Sequence, residues 1–504
     1  MSEKSVIVIG GGISGLCTGV YAAANGYDTT VLEANSEPGG LCTSWTRSGY
    51  TFDSCIHYLV GTKPDSHYYP FWAEVGALDG LETRTHTEFG RFRTDDEREL
   101  VIHADIDRTQ DALLAFAPAD KKPIAELCDL VRHASKAMPP TPPEPPQLMK
   151  AREGLHMASD RWSSMGVTRK TAGTTLEDYS RHFSDPALRR IVRSLLVEDK
   201  VSLMALVYTL AAYNTGDAVW VMGGSQAFAR RIEGRLAEFG GRIAYDSKAV
   251  QILVEDGRAT GVRLEDGSEH RADHVISAAD PHETLFELLG VQHVDARWRS
   301  LFAELPTFHP LVQVSLGVRS DFSDEPHFFQ RVFDEPRDLA GLPWPNASVT
   351  NYAFDPSLAP DGCSAVTVLL HGDLERWRAL RDRSEDEYVG EKDAVAQRAI
   401  DVAQECLPVA HSAVEVTDVA TPLTFVRYSH AWKASYQGWL PTPETARKVS
   451  PERFDATVPG VAGLRLAGQW LSPGGGLPAG VLTARWAVSW LCHDDGRDFR
   501  SPAV

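Results

Sequence analysis

The opening stretch of the chain alternates two hydrophobic periods. Val6, Ile7, Val8 and Ile9 form a continuous, mostly β-branched run, which predicts a short strand buried on both faces. The Ala- and Leu-containing stretch from Ser14 to Asn25 stops at Gly26, which predicts a helix ended by a glycine. Asp28 to Leu32 predicts a second strand, closed by Glu33.

Further along, Tyr68 to about Asp217 is irregular and largely helical in pattern. Within it, Ala187 to Val197 places Leu188, Ile191, Val192, Leu195 and Leu196 at helical spacing. Val201 to Tyr213 is apolar but too short to span a bilayer; a core helix and a helix dipping into a membrane surface both fit. The run PPTPPEPP from Pro139 to Pro146 predicts an exposed, extended connector.

A helix is predicted over Ser225 to Phe239, with Phe228, Ile232, Leu236 and Phe239 on one face and Gly240-Gly241 at its end. Short strands follow at Arg242–Tyr245, Ala249–Glu255, Ala259–Leu264, Glu269–Ala272 and His274–Ser277, with turn signals at Asp256-Gly257 and Asp266-Gly267. Beyond these, Val312–Val318, Ser364–Leu370 and Ala413–Ala420 predict strands beside a polar helix, Ser384–Glu405. Leu464 to Ala467 predicts a last strand, and a helix starts near Ala479.

Chemistry enters with the glycines. Gly10, Gly12 and Gly15 stand at GxGxxG spacing between the first strand and helix. Gly10 permits the tight turn, Gly12 leaves room for a pyrophosphate against the backbone, and Gly15 lets helix and strand pack closely. The helix N-terminus offers unpaired N–H groups and a positive dipole end. Glu33 stands where a carboxylate accepts from ribose hydroxyls. A glycine-rich turn in another α/β unit is the competing reading. Pro38-Gly39-Gly40 lies just past the acid, a placement characteristic of flavin-binding chains. Gly474-Gly475-Gly476 and Pro478 repeat the same logic before the last helix.

Composition narrows the partners. The formal charge of −19 over 504 residues argues against nucleic acid, whose phosphates need clustered Lys and Arg, and against purely electrostatic attachment to an anionic membrane. Seven cysteines are scattered without a CxxC pair, which fits a reducing compartment and neither a disulfide framework nor a zinc site. No metal-ligand spacing, nucleophile elbow or second GxGxxG occurs. No leader pattern precedes the first strand, so a cytoplasmic protein is expected.

The segments EPGGLCTSWTRSGYTFDSCIHYLVG (Glu37–Gly61), Gly223 to Pro281 and GLRLAGQWLSPGGGLPAGVLTARW (Gly463–Trp486) together resemble the FAD-dependent phytoene desaturase, carotenoid isomerase and retinol saturase group of amine-oxidase-like flavoproteins. Ile56-His57-Tyr58 with Gly61 looks closer to the saturase branch. The resemblance covers roughly half the chain. It implies an α/β fold with a discontinuous Rossmann-type FAD-binding domain (1–67, 218–281 and 456–495), a mainly helical, membrane- or substrate-facing insertion (68–217), a sheet-plus-helix substrate domain (282–455) and a tail (496–504).

The resemblance further implies a cofactor site of Gly10, Gly12, Ile13, Ser14, Gly15, Glu33, Ala34, Gly39, Gly40, Leu41, His57, Gly468, Gln469, Gly475, Gly476 and Leu477, with Val250 meeting the adenine through its backbone. Leu41, Gln469 and Cys55 depart from the usual Arg, Asp and Gly. Diphosphate charge then falls to helix dipoles or to Arg47. No Cys lies in the last motif, so non-covalent FAD is expected.

A flavin supplies the redox step, leaving the protein to hold the substrate, exclude water and manage a proton. His57, Tyr58, His430 and Tyr436 are the proton-handling candidates, against a plain structural reading of each. Phe425, Tyr428, Trp432, Tyr436 and Trp439 recur at three- and four-residue steps. They fit either a core stripe or a substrate wall, with Tyr428, Trp432 and Trp439 as substrate residues. The expected reaction is desaturation, isomerisation or saturation of C–C bonds in an apolar polyene or isoprenoid, by hydride transfer to or from flavin. The electron partner is open, and peripheral membrane contact is expected. The alternatives are an amine oxidase and a non-catalytic prenyl-protein chaperone of the same fold.

Overall fold

A computed structural model describes residues 4–150, 162, 164–196, 198–449, 456–472 and 474–503. Val197, the predicted end of one helix, and the boundary at 455 lie outside these residues.

The nucleus is a five-stranded parallel sheet. Its strand order is Leu464–Leu466, His274–Ser277, Ser5–Ile9, Asp28–Leu32 and Arg242–Ala244. Ile7 pairs with Val275 on one side and Thr30 on the other. Val6 to Ile9 are all buried, as a strand covered on both faces requires. The helix Ile13–Ala24 follows directly and ends before Asn25 and Gly26, the latter at φ +78°. Gly15 seats it: a Cβ there would lie 1.8 Å from the Gly10 carbonyl oxygen. The helices Gly224–Glu238 and Gly476–Asp494 complete this domain.

A second sheet has seven strands, in the order Val414–Ala420, Leu311–Val318, Ser364–His371, Pro343–Asn351, Phe328–Asp338, Glu88–Thr94 and Glu99–His103. Its far face packs Val312, Val314 and Val368 against Val395, Ala399 and Ala403 of the helix Glu385–Gln404. Two features depart from expectation. The stretch 68–217 is not simply helical, because Glu88–Thr94 runs parallel to Phe328–Asp338, with Arg91 opposite Phe329. The hairpin Phe328–Asp338/Pro343–Asn351 was hidden by its prolines. It accommodates Pro336 and Pro345 at a register break between Val332 and Arg337, while Pro343 stands at the first position of its strand.

The proline run is no free connector. Pro142 and Pro145 are buried, the Pro142 carbonyl accepts from Trp486 Nε1 at 3.1 Å, and the Pro143 carbonyl accepts from Arg485. The apolar stretch after Val201 forms the helix Leu203–Thr215, packed on Lys121–Lys136. The C-terminal residues fold back, and Arg500 exchanges two hydrogen bonds with Asn25. Arg485 and Glu74 form a buried ion pair at 3.0 Å, which Tyr21 joins through its hydroxyl at 2.9 Å.

Candidate active site

Both sheets border one cavity of about 1030 Å³. At its nucleotide end the separated glycine loops meet. Gly39 bridges Gly12, and the Gly39 N–H donates to the Gly11 carbonyl at 2.8 Å. The helices Ile13–Ala24 and Gly476–Asp494 pack together near their N-termini, where a Cβ on Gly480 would stand 3.7 Å from Ser14 Cβ, and the first residues of both line the cavity. Ser14 Oγ is buried without a partner. Two positive helix ends and an unpaired hydroxyl thus border one cavity, which suits the anionic part of a dinucleotide.

The third glycine loop is braced from outside. Gln469 Oε1 accepts from the Gly476 N–H at 3.2 Å, and Gln437 Nε2 donates to the Gly474 carbonyl at 2.7 Å. Glu33 is buried at the end of the second strand. Its carboxylate accepts from the Gly11 N–H at 2.7 Å and the Asn35 N–H at 2.8 Å, which fixes it on the cavity wall. No arginine lines the cavity among the described residues. Arg47 is exposed and pairs with Asp418 instead, so the helix ends and the lysines on the wall, Lys248 among them, are the positive groups that face the cavity.

Gly10, Gly12, Ile13, Ser14, Glu33, Ala34, Gly39, Gly40, Leu41, His57, Gly468, Gln469, Gly475, Gly476 and Leu477 all line the cavity. Gly15 does not; it acts from beneath, through packing. Val250 is a correction. It is exposed and off the wall, whereas Ser247, Lys248 and Ala249 line it. A bulge between Ala249 and Gln251 shifts the register there.

The aromatic stripe is a second correction. Trp439 is fully buried, donates its Nε1–H to the Trp470 carbonyl at 3.1 Å, and packs with Trp432 and Phe302. Neither Trp432 nor Trp439 lines the cavity, so they are core, not substrate wall. Tyr428 does line it, but at the nucleotide end, where its carbonyl accepts from Asn35 Nδ2 at 3.0 Å. His430 lines the cavity too, with its ring nitrogen 3.5 Å from Glu283 on the same wall.

The other candidates face the chamber. His57 projects into the cavity, and the surrounding protein holds its imidazole below the usual pKa by desolvation. The Tyr58 hydroxyl lies 3.2 Å from Thr209 Oγ1, and burial raises its pKa. Tyr436 packs on Phe308, and burial, then the charge of Glu198, holds its phenol well above the ordinary value. Sequence reasoning missed the stacked imidazoles of His86 and His327, whose centroids lie 3.7 Å apart on the same wall. It also missed Asp280, whose carboxyl burial pushes up to about 7 while the Trp432 and His282 N–H groups donate to it.

A parallel sheet, two helix N-termini over one cleft, and an acid ending the second strand define a dinucleotide-binding flavoprotein, and the glycine cradle fits FAD. The chain belongs to the flavin-containing amine oxidoreductase family, whose model matches residues 13–489; it is an FAD-dependent oxidoreductase. It is 24% identical to the chloroplastic prolycopene isomerase of Daucus carota, covering 100% of this chain and 82% of that one. It is also 24% identical to the lycopene-forming phytoene desaturase of Pseudescherichia vulneris, covering 97% and 99%. Among solved structures, cyclohexylamine oxidase from Brevibacterium oxydans shares the fold at TM-score 0.61 and 16% identity, over 98% of this chain and 100% of that one.

Proposed function

We propose that the protein changes C–C bond order or geometry in an extended polyene or isoprenoid, by desaturation, isomerisation or saturation. One observation carries this reading. The cavity continues without a break from the glycine loops into a chamber walled by Leu195, Leu196, Met204, Ala205, Phe89 and Phe308. A long apolar molecule fits such a wall. The names of the two relatives, an isomerase and a desaturase acting on carotenoid polyenes, support it.

Bound FAD supplies hydride acceptance or donation. The protein's share is position, dryness and one proton. The helix Leu203–Thr215 excludes water along one side. A ring nitrogen of the neutral His57 takes up or delivers the proton, while the Tyr58 and Tyr436 phenols stay protonated. Exposed Met138 beside Lys136 and Pro139 on the cavity wall supports substrate collection at a membrane surface. Among the described residues no helix is long and apolar enough to cross a membrane.

The test is anaerobic mixing of the holoprotein, its flavin oxidised or reduced beforehand by dithionite, with an acyclic polyene in micelles, following flavin absorbance and separating products by chromatography before mass spectrometry. His57→Ala should slow the half-reaction and leave the flavin bound. Hydrogen peroxide release with amines in air-saturated buffer, while polyenes leave both flavin and product channels silent, would establish the amine oxidase alternative instead.

A further inference from the structure

The substrate chamber has an apolar helical wall and a polar floor. Strand alternation points Gln313, Gln330, Ser348 and His371 toward the cavity, while Val312, Phe329 and Val349 face the far side. Register sets Gln330, Ser348, Leu369 and Gln313 in one row across four adjacent strands. Gln313 is satisfied, donating to the Asp53 carbonyl at 2.8 Å. Gln330 and His371 are not. They are 1% and 3% exposed, yet Gln330 Nε2 and both His371 ring nitrogens have no protein partner. His371 is held in place by stacking on Trp344 at 3.9 Å. Burial keeps its imidazole neutral.

A hydrocarbon laid on this floor would leave these already buried groups unpaired and offer them nothing. The part of the sheet that lines the cavity contributes no Asp, Glu, Lys or Arg, so neither an ammonium nor a carboxylate finds a counter-charge there. Building on the polyene reading above, we propose that the substrate carries a neutral oxygen function, a hydroxyl or carbonyl, and that Gln330 and His371 are the residues that select it.

The experiment compares a long acyclic polyene alcohol with the hydrocarbon of equal length and unsaturation, both in micelles, on the FAD-loaded protein. Readouts are equilibrium quenching of tryptophan fluorescence and kcat/KM. The wild type should favour the alcohol about tenfold in both, the worth of one recovered buried hydrogen bond. Gln330→Leu and His371→Phe should each shrink that preference toward parity while keeping the flavin spectrum and unfolding midpoint. Gln330→Met, closer in shape to glutamine, serves if either variant folds poorly, and should narrow the preference in the same direction. Equal handling of the two polyenes by the wild type, or a preference that survives the substitutions, overturns the inference alone. If neither polyene binds and amines reduce the flavin, the polyene reading fails and takes this inference with it.

Discussion

Gly12 and Gly15 lie three residues apart in one motif, yet the structure assigns them opposite failures. Gly12 caps the first helix at φ −67° and ψ 174°, a conformation any residue adopts. A Cβ there meets only the Gly39 carbonyl oxygen at 3.7 Å and Gly40 Cα at 3.8 Å, ordinary contacts. Gly12→Ala should therefore fold. Alanine is a poorer cap than glycine by under about 1 kcal/mol, and its lower unfolded-state entropy offsets about 0.4–1 kcal/mol. The methyl instead fills the space a diphosphate needs against the backbone. Losing two charge-assisted hydrogen bonds at roughly 1.5–3 kcal/mol each weakens FAD binding by about two to four orders of magnitude. Gly15→Ala puts its Cβ 1.8 Å from the Gly10 oxygen and must displace helix or strand, at a cost of about 1–3 kcal/mol or more in fold stability. Denaturant melts of the apoproteins and fluorescence titration with FAD separate the two quantities. Wild-type FAD affinity in Gly12→Ala, or an apoprotein melt as damaged as that of Gly15→Ala, would refute the reasoning.

The remaining predictions concern charge and attachment. Burial pushes the Asp280 carboxyl up to about 7, above an unfolded value of about 3.9. The folded state thus binds the extra proton, and this group's stabilisation is complete at about pH 4 and lost as pH rises through about 7. The midpoint difference between Asp280→Asn and wild type should grow in the variant's favour over that window; a pH-independent difference would exclude Asp280 as the source. Arg485→Met strands the buried Glu74 carboxylate and should lower unfolding free energy by about 3–5 kcal/mol, with Glu74→Gln in the same background restoring part of it. Acid precipitation should release all flavin into the supernatant; colour retained in the pellet would mean a covalent bond, with Cys42 and Cys55 on the cavity wall as the first places to look.

The nucleotide end was legible because its constraints are local. Val6 to Ile9, Gly10 to Gly15 and Glu33 act within thirty residues of one another, and turn, helix and acid each leave their own mark in the sequence. The chamber was less legible because its floor is assembled across strands. Gln330 and Ser348 mean little until register sets them beside Gln313. The alternation of Gln313 and Ser315 among apolar neighbours was a readable sign of a strand with one polar face. The stripe from Phe425 to Trp439 misled for a related reason. Its three- and four-residue steps imply one helix, but the helix Pro422–Ser429 ends at His430, with φ +53°. Trp432 and Trp439 are thereby turned into the core, away from the side Tyr428 faces.

The central sheet borrows its outermost parallel strand from Leu464–Leu466, and the first helix is covered by Gly476–Asp494. On a ribosome adding roughly 5–20 residues per second, tens of seconds separate the emergence of Leu32 from that of Leu464. Throughout that interval the nascent sheet has an open edge and the first helix a bare flank. Colour therefore reports completed synthesis: products truncated before this stretch should leave the ribosome pale, sticky and prone to degradation.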